Sequence, residues 1–72
     1  MAKQELEHGE LTRIIIGTVV AAGDDGINAR ELTEKLNSWG IEVTMHHMGV
    51  RLAELYNDGR INRISRGRYE GV

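Results

Sequence analysis

Glycine punctuation constrains this chain more than any other feature. Gly23, Gly40 and Gly59 each close a stretch whose apolar residues recur at helical spacing. Gly67 sits within the arginine-rich stretch that remains. Three short helices followed by a hairpin are the expected order. With 72 residues there is room for one core, so residues 1–72 read as a single domain with residues 1–8 as a flexible lead-in. A core this small gives only a few kcal/mol, and no cysteine is available for a disulfide or a cysteine-bound zinc. Hydrophobic content of 40% and charged content of 28% belong to a folded chain rather than a disordered one. No apolar run approaches a membrane span. The opening Met-Ala-Lys-Gln-Glu-Leu-Glu is too acidic for a signal peptide, so a cytoplasmic protein is expected.

The first helix is predicted over about Glu10 to Ala22, with Leu11, Ile14, Ile15, Thr18, Val19 and Ala22 on one face. Gly23 suits the left-handed cap that ends it. Gly17, inside this helix, predicts a close neighbour. Asn28 and Glu31 have capping-box spacing, and Ile27 and Leu32 occupy the staple positions of a second helix that runs to about Ser38. Ala29, Leu32 and Leu36 form its apolar face, and Glu31 and Lys35 form an i,i+4 pair. Trp39 reads as a lid on the core edge. Ile41-Glu42-Val43 is short and extended. Thr44 caps a third helix, about Met45 to Asp58, whose buried stripe is Met48, Leu52 and Leu55. From Arg60 to Val72 the chain reads as a β-hairpin, with Ser65 to Arg68 as its turn and Tyr69 half-buried. Ile61 and Ile64 are an odd number apart, so either Ile61 belongs to the helix–strand corner or a bulge intervenes.

Net charge is −2, which taken whole disfavours a nucleic-acid binder. Its distribution points the other way. Residues 1–42 hold four bases against eight acids, a net of −4. Residues 43–72 hold five arginines against three acids, a net of +2. Arginine rather than lysine supplies all of that positive charge, and arginine is the bidentate reader of phosphate and base edges.

The order of helix, helix, short extended link, helix and arginine-rich hairpin resembles the winged helix-turn-helix family. Ile27-Asn28-Ala29-Arg30-Glu31-Leu32-Thr33-Glu34-Lys35-Leu36 resembles its second helix. Val43-Thr44-Met45-His46-His47-Met48 followed by Arg51-Leu52-Ala53-Glu54-Leu55 resembles its recognition helix. Gly59-Arg60-Ile61 through Arg66-Gly67-Arg68-Tyr69 resembles the helix exit and wing. The likeness is to prokaryotic transcription regulators and covers nearly the whole chain. It implies a mostly α, α+β fold: three helices with a C-terminal β-hairpin wing. The link from Leu36 to Met48 matches the looser, winged variant.

The resemblance further implies double-stranded DNA as partner, with the third helix in the major groove and wing arginines on the backbone or minor groove. The expected role is a small, sequence-preferring transcriptional regulator. The candidate DNA contacts are Thr44, Met45, His46, His47, Val50 and Arg51 on the helix, and Arg63, Arg66 and Arg68 on the wing. Arg60 stands at the wing's base. The plain alternative is that these residues are a solvated face, with the arginines guarding an exposed sheet edge. A winged helix acting as a protein–protein module without direct DNA binding is the other reading, and the acidic balance favours it. Adjacent histidines on a helix point about 100° apart and rarely share an ion, so no metal or cofactor is expected. No nucleophile–base set, phosphate loop or carboxylate pair is evident, so an enzyme is not expected, and no small-molecule ligand or membrane is implied. Leu6, Ile16 and Val20 lie off the main apolar face of the first helix. They fit burial under the hairpin or a homodimer interface equally well.

Overall fold

The computed structural model describes residues 8–72, and for His8 its backbone only. The chain forms helix α1 (His8–Ala21), strand β1 (Ile27–Asn28), helix α2 (Ala29–Ser38), helix α3 (Met45–Asn57) and strands β2 (Ile61–Ser65) and β3 (Arg68–Gly71). It is a small α+β fold, mostly helical, with a three-stranded antiparallel sheet in the order β1-β3-β2. Among the described residues no helix is long and apolar enough to cross a membrane. Helix α1 starts two residues earlier than expected and takes in the last residue of the segment read as a flexible lead-in. Leu6 lies outside the described residues.

The expected caps are present. Asn28 Oδ1 accepts from the Glu31 N–H at 2.8 Å while Glu31 Oε1 accepts from the Asn28 N–H at 3.2 Å, a reciprocal capping box. Thr44 Oγ1 accepts from the His47 N–H at 3.1 Å. Helices α2 and α3 end alike. Ile41 N–H donates to Leu36 O and Gly40 N–H to Asn37 O; Arg60 N–H donates to Leu55 O and Gly59 N–H to Tyr56 O. These paired bonds are Schellman ends, and they satisfy carbonyls that a helix otherwise leaves open.

The core gathers Ile15 and Val19 from α1, Leu32 and Leu36 from α2, Met48, Leu52 and Leu55 from α3, and Ile27, Ile41, Val43 and Ile61 from the strands and links. Ile41 and Val43 point inward and Glu42 outward, as alternation in an extended link requires. Both staple pairs, Ile27 with Leu32 and Val43 with Met48, are buried.

Several expectations are corrected. Ile27 and Asn28 do more than enter α2: they pair with Tyr69 and Arg68 and so make β3 the central strand. A bulge does intervene in β2, since Arg63 faces Tyr69 and Ser65 faces Arg68, which leaves Ile64 as the extra residue. Glu31 serves Asn28 and Arg68 rather than Lys35, and the i,i+4 pair on α2 is Arg30–Glu34. Trp39 is no lid, being 52% exposed. Nothing approaches Gly17: a Cβ there would meet no atom within 4 Å. The close approaches are at other glycines. A Cβ on Gly71 would come within 2.7 Å of Val20 Cγ2, where β3 crosses α1. A Cβ on Gly26, at φ +70°, would come within 2.6 Å of both Tyr69 O and Ile64 Cδ1.

Candidate nucleic-acid interface

The N-terminal half of α3 is turned to solvent because its apolar stripe is narrow. Met48, Leu52 and Leu55 face inward, so Met45, His46, His47 and Val50 are left outside, with Thr44 exposed at the cap. Met45 is 57% and Val50 45% exposed. This face is apolar and imidazole-bearing, and Glu54 adds one acid lower down the helix.

Arg51 departs from the expected set. Its residue is only 6% exposed, and its Nη2 donates to Thr12 Oγ1 on α1 at 2.6 Å. Nη1 lies 3.9 Å from Glu54 Oε1, one turn along the helix. The guanidinium therefore ties α3 to α1, and it is not placed on the outer face as a phosphate or guanine reader. Helix α3 presents no exposed lysine or arginine.

Positive charge comes from the hairpin instead. Arg66 is exposed in the turn between β2 and β3. Arg63 is exposed and lies over the Tyr56 ring of α3, its Cζ 5.0 Å from the ring centroid. Tyr56 in turn meets Tyr69 edge-on, with centroids 6.3 Å apart and planes at 61°. This stack joins the strand pair to the C-terminal part of α3. It also explains the half-burial of Tyr69, which packs against the core.

Arg68 departs as well. Its Nε donates to Asp25 O at 2.6 Å, its Nη1 to Glu31 Oε1 at 3.3 Å and its Nη2 to Gly26 O at 3.4 Å. It pins β3 to the loop between α1 and α2, so its donors are turned inward along the sheet edge and away from the hairpin tip. Arg60 lies just before β2 and away from the hairpin tip. The Schellman turn at the end of α3 sets it against α1, beside Gly9, Thr12, Arg13 and Ile16.

The structure thus leaves Thr44, Met45, His46, His47, Val50, Arg63 and Arg66 as the exposed candidates, and gives Arg51 and Arg68 structural partners. Sequence spacing could have found the first of these two. Arg51 lies three residues after Met48 and four before Leu55, inside the buried stripe. Ile16 is half-buried against the core, while Val20 touches β3 at Gly71 yet stays 55% exposed. Among the described residues no group of three or more His, Cys, Asp or Glu is placed to hold a metal ion. In comparisons with known proteins, the chain matches no family model, no curated protein and no solved structure.

Proposed function

We propose that this chain is a winged helix-turn-helix domain that binds double-stranded DNA as a small transcriptional regulator. Helix α3 would enter the major groove by its capped N-terminal end, and the β2–β3 hairpin would lie on the adjacent backbone or minor groove. The carrying observation is the pairing of two uncommitted surfaces. The N-terminal face of α3 is uncovered, and the hairpin that follows it holds Arg63 and Arg66 exposed while Arg63 keeps contact with Tyr56 of α3. The element order and the β1-β3-β2 sheet support the same reading.

The division of labour follows from the chemistry. Arg63 and Arg66 supply charge-assisted contacts to phosphate, which fix position and carry no sequence information by themselves. Base readout falls to Thr44, His46 and His47 by hydrogen bonding, and to Met45 and Val50 by apolar contact with thymine methyl groups. With Arg51 turned inward, the helix lacks the arginine–guanine contact that most often sets specificity, so discrimination between sites should be modest. Fluorescence-anisotropy titration of a labelled mixed-sequence duplex over a salt series tests the proposal. Affinity should fall with salt, and Arg66→Ala should reduce the log–log slope by about 0.9, the value for one phosphate contact. Absence of binding at low salt would refute the proposal.

One observation favours a second reading, a protein-binding module. The same α3 face exposes Met45 and Val50, and Trp39 is exposed nearby in sequence. A salt-independent interaction surface of that kind would leave the anisotropy of the duplex unchanged at every ionic strength.

A further inference from the structure

A pocket of about 410 Å³ lies between α1 and the turn from α3 into β2, lined by Gly9, Thr12, Arg13, Ile16 and Arg60. Arg13 and Arg60 come from separate elements and are both exposed, and among the described residues neither has a carboxylate partner. Thr12 forms the floor at 8% exposure. Its hydroxyl oxygen accepts from Arg51, and the hydroxyl keeps one proton that it can donate. Ile16 gives the pocket one apolar wall. Behind Thr12 stands the guanidinium of Arg51, buried, paired with Glu54 and outside the pocket lining. Two arginines with no carboxylate partner among the described residues, a hydroxyl donor and an apolar wall are the parts of a site for an anion with an apolar body, and the volume lies in the range of small-molecule sites.

We infer that this pocket binds a small organic anion, its carboxylate or phosphate held between Arg13 and Arg60 and its apolar body against Ile16. The site is separate from the exposed face of α3 and from Arg63 and Arg66, so it stands or falls independently of DNA binding. Arg51 gives it a route to α3. A ligand that accepts the Thr12 proton leaves the Arg51 bond in place and sits directly across the hydroxyl from it, so occupancy should be felt at the middle of α3.

The test is amide-shift titration of the isotopically labelled chain with four probes: phenyl phosphate, benzoate, inorganic phosphate and benzyl alcohol. Phenyl phosphate or benzoate should give saturable shifts centred on Gly9, Thr12, Arg13, Ile16 and Arg60, with a weaker response at Arg51. Benzyl alcohol, which lacks the charge, and the charge-removing variants Arg13→Gln and Arg60→Gln should each bind about tenfold more weakly or worse. Both arginines are exposed, so an unchanged thermal midpoint verifies that the variants are folded. Shifts that fail to saturate, that appear equally at Arg30 and Arg66, or that persist unchanged in the two variants would overturn the inference. Equal affinity for inorganic phosphate would remove Ile16 from the site and overturn it too.

Discussion

Replacing Arg51 by alanine separates an arginine that holds the fold from one that meets a partner. The guanidinium is buried, and its 2.6 Å bond to Thr12 Oγ1 joins residues 39 apart in sequence, the middle of α3 to the start of α1. A hydrogen bond from a charged donor contributes about 1.5–3 kcal/mol. The 3.9 Å pair with Glu54 adds little, because the Glu54 side chain is 61% exposed. Truncation also removes the buried aliphatic stem, so Arg51→Ala should cost about 2–3 kcal/mol. A chain of this size has about 4–11 kcal/mol of total stability, at 0.05–0.15 kcal/mol per residue. The variant should therefore lose about a fifth of it or more. In urea unfolding, with a slope of about 1 kcal/mol/M for a small domain, the midpoint should drop by about 2–3 M. The folded fraction should keep the salt slope of DNA binding unchanged, because the side chain does not reach the outer face. A loss under about 0.5 kcal/mol would show a solvated guanidinium and refute this assignment.

Other perturbations have different signs. Gly17→Ala should stabilise α1 by up to about 1 kcal/mol, since nothing lies near its Cβ position, whereas Gly26→Ala should cost at least about 2 kcal/mol through its positive φ and the clash with Tyr69 O; thermal unfolding reads both. Arg68→Ala should cost about 1 kcal/mol and raise amide exchange through Gly23–Asp25, as the clamp on the α1–α2 loop is lost, and no change in exchange there would contradict its role. If the α1 face carrying Ile16 and Val20 is a dimer interface, sedimentation should give twice the monomer mass for the native chain and the monomer mass for Val20→Glu; a monomeric native chain rejects the dimer.

The sequence was most legible where a local rule acts alone. The Asn28–Glu31 box, the Thr44 cap and the ends at Gly40 and Gly59 are each set by a few adjacent residues, and each is present. Strand β1 was hidden because two residues carry no period, and Ile27 and Asn28 already had roles as staple and cap. The tail gave the hairpin but left a bulge and a corner position for Ile61 as alternatives, which pairing with β3 decides in favour of the bulge. The candidate interface was harder to read because five arginines look alike in sequence. Helical spacing marks Arg51 as inward, but only long-range packing sorts the rest: Arg68 onto the Asp25 and Gly26 carbonyls, Arg60 against α1, and Arg63 and Arg66 outward. Gly17 misled for the same reason. A glycine inside a helix announces a close neighbour only when another element crosses there, and the crossing in this fold is at Val20 and Gly71.

Amide-shift mapping of the labelled chain with a mixed-sequence DNA duplex reads the proposed interface residue by residue. The largest shifts should fall on Thr44 to Val50 and on Arg63 and Arg66, fade as salt is raised, and spare Arg13 and Ile16. Shifts that are absent at low salt, or that centre on α1 instead, would contradict it.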